Sequence, residues 1–197
     1  MFRLIKFTCF IILFAACLRF TYGTEYYSKT DKITWDANYR LTFDDFKGRG
    51  GYDTILYKND MEFKELGKIT KAIIVNNKAD SKRAEFTINA VMDRSKSWIR
   101  YPDDTACLKH EQGHFDICEI YARILRKKIS GAKSLSDAKE MYYEVVKDEE
   151  AEQLLYDRDN SGIPEGINSY WEEKIISRLD ELAEYDNPTV TVMFRNG

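Results

Sequence analysis

Proline and glycine are scarce in this sequence, with 3 and 10 in 197 residues, which excludes collagen-like and low-complexity chains and leaves a globular one. An excess of basic charge is missing too. The formal net charge is −3, and without the first 23 residues 27 basic side chains face 33 acidic ones, a charge of −6. That balance argues against nucleic acid as a partner. Cysteine is sparse: Cys9 and Cys17 fall in the N-terminal apolar segment, leaving Cys107 and Cys118. On one helix these two stand roughly 16 Å apart along the axis, beyond disulfide reach, so they are expected to be buried small hydrophobes. The dense apolar run ends early as well. Phe7 to Leu18 is about a dozen residues, short of the ~20 a transmembrane helix needs, so no stable membrane span is expected.

That run follows Arg3 and Lys6 with no acidic residue nearby, the pattern of an export signal. Thr21 and Gly23 supply small residues three and one positions before a cleavage point. This gives a signal peptide over residues 1–23 and a single domain over 24–197, exported to the periplasm or the extracellular space. Two other processing routes compete: lipid attachment at Cys17 after the stretch Phe14, Ala15, Ala16, and an uncleaved anchor.

The length suits one domain. Up to Arg100 the signals are those of short strands, rich in β-branched and aromatic residues: Ile33–Trp35, Thr54–Tyr57, Ile69–Val75 and Glu85–Met92. Turn-rich stretches separate them, at Gly48–Gly51, Lys58–Asp60 and Asn76–Ser81. Leu41–Phe46 reads as a helical corner. After Pro102 apolar residues recur every three and four positions, predicting helices over about Asp104–Ser130, Ser136–Tyr156 and Asn168–Glu184, then a final strand over Thr189–Phe194. The fold class is therefore α+β, a small mainly antiparallel sheet followed by three helices. The first helix is apolar on nearly every side and is expected to be central and buried.

That central helix carries His110, Glu111, Gln112, Gly113 and His114, an H-E-x-x-H pattern built from the only two histidines in the chain. Residues four apart on a helix share a face, so both imidazoles can address one metal ion. Glu111, about 100° around the helix, can reach a water on that ion without ligating it. Three protein ligands and an open position make zinc lower its water's pKa to about 7. Glu111 is then expected to take the proton as general base and to return it to the leaving amine.

The run Leu108 to Ile117, with Ala122 and Arg123 beyond it, resembles the signature of a family of exported bacterial proteins known as domain of unknown function 922, regarded as zincin-like metallopeptidases. The likeness extends to Trp35, Leu41, Thr42, Phe43, Asp45, Phe46, Ser97 and Trp98, and downstream to Glu152, Gln153, Tyr156, Asp157 and Trp171. It implies a zincin-like fold with a central active-site helix and a zinc ion. One departure stands out: in the family a Thr and a His follow the Tyr-Asp pair, whereas here Asn160, Ser161 and Gly162 occupy that loop.

With no third histidine, carboxylates are the remaining candidates for the third ligand. Glu152 shares an inward face with Val145, Leu155 and Tyr156, and a carboxylate there is costly unless paired or metal-bound. It is the expected third ligand, which makes the site gluzincin-like; Asp157 is the alternative, as a ligand or as an acceptor that orients a ligand histidine. Tyr156 and Arg123 are candidate donors to an oxyanion, although packing explains either. Asp116 and Glu119 point away from the histidine face and read as helix surface or structural partners, and Trp35, Trp98 and Trp171 as core anchors. The expected function is a zinc-dependent peptidase acting on a peptide or protein substrate. A non-catalytic binding or assembly module of the envelope on the same scaffold, and a metal-free protein with incidental histidines, are the other readings. Gly48–Gly51 is a candidate lid. Neither substrate specificity nor oligomeric state is written in the sequence.

Overall fold

The structure is a computed structural model that describes residues 21–22, 31–50, 55–58, 61–64 and 66–194; for 21–22, 55–58 and 61–64 it describes the backbone alone. The export signal and Cys17 lie outside the described residues, apart from Thr21 and Tyr22.

The fold is α+β, an antiparallel sheet followed by three helices. Nine strands occur in chain order among the described residues: β1 (Thr21–Tyr22), β2 (Lys32–Thr34), β3 (Ile55–Lys58), β4 (Met61–Lys64), β5 (Gly67–Lys68), β6 (Lys71–Ala79), β7 (Arg83–Asp93), β8 (Trp98–Ile99) and, after the helices, β9 (Thr189–Met193). The helices are α1 (Thr105–Ile129), α2 (Leu135–Asn160) and α3 (Ser169–Glu181). β7 is the spine of the main sheet. β6 pairs along one of its edges, from Lys71 opposite Met92 to Ala79 opposite Ala84. The other edge is shared by β2, opposite Val91 to Asp93, and β9, opposite Arg83 to Thr87. β1 pairs with β6 at Val75 and Asn76. β3 with β4 and β5 with β8 form two small ribbons.

Alternation along β7 decides which face is covered. Ala84, Phe86, Ile88, Ala90 and Met92 are all fully buried, and the α1 residues Phe115, Cys118, Ala122, Leu125 and Ile129, spaced three and four apart, pack with them into one core. A second stripe on α1, Ile117 and Ile120, meets Tyr156, Trp171 and Ile175 from α2 and α3. With two sides covered by sheet and helices, α1 is the central helix that its all-round apolarity predicts. Its side chains at 110, 111 and 114 are turned to what remains, a cleft between β5, the start of β6 and the C-terminal half of α2.

Each helix starts on a side-chain cap. Asp104 accepts from the Cys107 amide at 2.9 Å, Ser134 from Asp137 at 3.1 Å and Asn168 from Trp171 at 3.0 Å, each satisfying a donor that the first turn leaves open. Three details depart from the sequence reading. Asn76–Ala79 belongs to β6, and the turn is confined to Asp80–Lys82, where the Asp80 carboxylate accepts from the amides of Lys82 and Arg83. α2 runs one turn further, to Asn160. Gly48 and Gly50 do not form a free lid: the Gly48 amide donates to Ser97 O at 2.8 Å, and the Trp98 ring lies directly against Gly50. Cys107 and Cys118 are both free and buried, as expected. Among the described residues no helix is long and apolar enough to cross a membrane.

Candidate metal centre

His110 and His114 stand one turn apart on α1 with ring centroids 4.7 Å apart and ring planes nearly perpendicular. Their Nε2 atoms are 3.1 Å from each other. Asp157, from the last turns of α2, places Oδ1 at 3.2 Å from the first and 2.9 Å from the second. The three ligand atoms therefore form a nearly equilateral triangle.

The protons of both rings can be assigned from their neighbours. His110 Nδ1 lies 2.9 Å from Gly166 O, and a carbonyl oxygen only accepts. Nδ1 must therefore carry the proton. His114 Nδ1 lies 2.5 Å from Gln153 Oε1. The orientation of that amide is fixed in turn, because its Nε2 donates to His114 O at 3.1 Å and to Glu149 Oε1 at 2.7 Å, both acceptors. With both Nδ1 atoms protonated, the rings in their neutral form turn two Nε2 lone pairs, beside a carboxylate oxygen, toward one point. Three such atoms about 3 Å apart call for positive charge among them, an Nε2 proton or a metal ion.

The electrostatics agree. Burial opposes a charged His110, yet the hydrogen bond to Asp157, the Glu111 charge and the Gly166 carbonyl outweigh it and hold its pKa above the ordinary histidine value. Asp157 is pushed the other way: burial would raise its pKa, but its hydrogen bonds with His110 and His114 bring it well below the usual carboxylate range. Both shifts say that positive charge is favoured at this spot. Two imidazole nitrogens and a carboxylate oxygen are a donor set suited to zinc, and donors about 2.0–2.1 Å from one ion at tetrahedral angles stand roughly 3.3 Å apart. The observed separations fit that demand closely.

Among the groups brought together, Asp157 takes the place expected for Glu152. Glu152 is buried, as its position on α2 predicts, but its partners are cations: Arg178 at 2.6 and 2.5 Å and Lys174 at 2.8 Å. The reason is helical geometry. Glu149, Gln153 and Asp157, four apart, run down the side of α2 that faces the histidines, whereas Glu152 is about 100° away and faces α3. The group placed so that it could hold a metal is then two histidines and an aspartate, which differs from the gluzincin pattern.

Glu111 is almost fully buried (4% exposed). Its Oε2 accepts from the Ile69 amide at 2.9 Å, leaving Oε1 toward Gly67, where a Cβ would lie only 3.0 Å away. Burial pushes its pKa up, against the opposing charges of His114 and His110 and the Ile69 amide. A raised carboxyl pKa is what a general base near neutral pH requires. The cleft beside it has a volume of about 820 Å³ and is bordered by Leu66, Gly67, Lys68, Ile69, Ile163 and Pro164. Cys107 also faces it, and burial with the neighbouring Glu111 and Asp104 pushes its thiol up to about 12, which disfavours a thiolate there.

Neither candidate oxyanion donor is free for that role. Tyr156 is fully buried, stacks on His110 at 4.8 Å, meets His114 edge-on at 4.8 Å and donates from its hydroxyl to His110 O at 3.0 Å. Gly113 makes room for it, since a Cβ there would stand 2.1 Å from the hydroxyl oxygen. Arg123 pairs with Glu119 at 3.0 Å, donates to Leu179 O at 2.8 Å and lies over the Trp35 ring. Asp116 and Glu119 are buried structural partners rather than helix surface. Asp116 accepts from Trp35 Nε1 at 2.7 Å and from Gln112 Nε2 at 2.8 Å, and Glu119 holds Arg123 and Arg126.

Two contributors carried weak sequence signals. Gln153 had two signs, its part in the downstream likeness and its place midway in the Glu149, Gln153, Asp157 stripe. Gly166 acts through its backbone carbonyl and is marked only by being glycine: its φ is +81°, and a Cβ would fall 1.9 Å from Ala106 O. Comparison of the chain with family models, with curated proteins and with solved structures gives no match, so the geometry of this centre is what bears on function.

Proposed function

We propose that the protein is a zinc-dependent hydrolase of peptide bonds, with His110 Nε2, His114 Nε2 and Asp157 Oδ1 holding the ion and Glu111 as general base. The observation that carries this reading is the meeting of His110 Nε2, His114 Nε2 and Asp157 Oδ1 within 3.2 Å of one another, on rings whose neutral Nδ1–H tautomers would leave both Nε2 lone pairs to an ion. A bound zinc ion would supply Lewis acidity toward a carbonyl and acidify the attacking water.

The chain's own residues account for the rest. Gly166 and Gln153 hold the rings so that their lone pairs face the ion. The Ile69 amide fixes Glu111 through Oε2, which leaves Oε1 to accept the proton of the attacking water and pass it to the departing amine. Burial of Glu111 keeps that carboxylate basic enough to act. The cleft lies in the size range of small-molecule and short-peptide sites, and its mixed border of Leu66, Ile69, Ile163 and Pro164 with Lys68 and Asp104 suits a peptide better than a highly charged ligand.

Metal analysis of the purified protein tests the first half. About one zinc per chain is expected, lost in His110→Ala. The second half is tested by comparing wild type with Glu111→Gln on a mixed peptide library: cleavage should vanish while zinc is retained. If wild type binds zinc and cuts nothing at any pH, the centre belongs to a binding module instead. If it binds no zinc, the reading fails entirely.

A further inference from the structure

Behind His114 lies a chain of polar groups that continues past Gln153. Lys71 Nζ, at the start of β6, is 2.6 Å from Glu149 Oε1. The same oxygen accepts from Gln153 Nε2 at 2.7 Å. Gln153 Oε1 then accepts from His114 Nδ1 at 2.5 Å. All of it is inside: the side chains of Lys71 and Glu149 are 14% and 10% exposed, and Gln153 and His114 are each 8% exposed.

A glutamine amide has two faces, and only one of them suits a metal centre here. Turned over, it would present N–H to His114 Nδ1, the ring would keep its proton on Nε2, and that nitrogen would lose the lone pair aimed at Asp157. What forbids the flip is the surroundings of Nε2: a backbone carbonyl and a carboxylate, neither of which can donate. Burying a carboxylate for this purpose is costly unless a cation accompanies it, and Lys71 is that cation. We propose that Lys71, Glu149 and Gln153 form a positioning relay that fixes His114 as the Nδ1–H tautomer. Its effect on zinc rests on the metal-centre reading above, but the tautomer exists in the metal-free protein.

Having only two histidines makes the test direct. Long-range proton–nitrogen NMR of the full-length, metal-free chain at pH 8.5 reads each ring's tautomer, with His110, which leans on Gly166 instead, as internal control. Wild type should show Nδ1–H on both rings. In Gln153→Met, and to a smaller extent in Glu149→Gln, His114 should move toward a mixture containing Nε2–H while His110 stays unchanged. Zinc affinity, measured by competition with a chelator, should fall about 10- to 100-fold in Gln153→Met, the usual cost of losing a partner behind a ligand. His114 remaining Nδ1–H in whichever of the two variants retains the wild-type circular dichroism, with zinc affinity unchanged, would overturn the relay and leave the metal centre standing. A wild type that binds no zinc would overturn the metal centre, and the tautomers would still decide the relay.

Discussion

The loop between α2 and α3 offers a controlled comparison, because two of its glycines share a backbone conformation and differ in their surroundings. Gly162 has φ +78° with nothing within 4 Å of the point where an added Cβ would lie, whereas Gly166 has φ +81° with Ala106 O at 1.9 Å and Ala106 C at 2.6 Å from that point. Gly162→Ala should cost only the left-handed backbone penalty, roughly 1–2 kcal/mol. Gly166→Ala incurs the same penalty plus an overlap with backbone of the first turn of α1, which cannot swing aside as a side chain would. Adding about 1–3 kcal/mol for overpacking brings the expected loss to roughly 2–5 kcal/mol. Because the clash can be relieved only by moving the loop away from α1, the Gly166 O to His110 hydrogen bond should weaken with it. Urea denaturation of both variants measures the stability difference, and chelator competition measures zinc affinity. Equal stabilities of Gly162→Ala and Gly166→Ala, or a Gly166→Ala protein with wild-type zinc affinity, would refute the claim that close approach of this loop builds the centre.

Two further outcomes follow from the exchanged roles of the two acids. Asp157→Asn should lower zinc affinity by about 100-fold or more, beyond the usual effect of an outer partner, whereas Glu152→Gln should leave it near wild type; chelator competition on both decides between them. Glu152→Gln should instead show in acid stability. Burial tends to raise the Glu152 pKa, but hydrogen bonds with Lys174, Tyr121 and Arg178 outweigh it and hold it below the usual value. A depressed folded-state pKa stabilises above the unfolded value of about 4.3 and ceases to do so as pH falls through the folded one. The variant should thus be less stable than wild type by about 1.5–3 kcal/mol at pH 7, with the gap closing below pH 4; a gap independent of pH in denaturant titrations would contradict this.

The three helices and the long strands β6 and β7 were legible because period carries them: the apolar stripe of α1 and the alternation of β7 are both written in residue order. Asn76, Asn77 and Lys78 misled, since polar residues in a row suggest a turn, yet they alternate between exposed and buried along a paired strand. The ligand choice failed differently. That a buried carboxylate on α2 must have a partner was sound for Glu152, but the cations of α3 meet that need as well as a metal does, and no local pattern shows which neighbour a helix face will meet. Leu155, an inward marker by its apolarity, is 42% exposed, whereas Val145, Glu152 and Tyr156 of the same expected face are buried. The Gly166 carbonyl had no readable signature, because every residue has one and only the fold decides where it points.

The other buried charges of α1 show why the His110, His114 and Asp157 cluster stands apart. Asp116 faces the donors of Trp35, Gln112 and Arg40. Glu119 faces Arg123 and Arg126, and the remaining guanidinium donors of Arg126 reach Ile88 O and Tyr185 O. In each case donor meets acceptor, and the cost of burial is offset within the protein. At the cleft the same helix differs: with both Nδ1–H groups held by oxygen acceptors behind them, the neutral rings would set two lone pairs beside a carboxylate. Convergence of acceptors is unfavourable by itself, and a positive charge among them relieves it, either a proton on an imidazole or a metal ion.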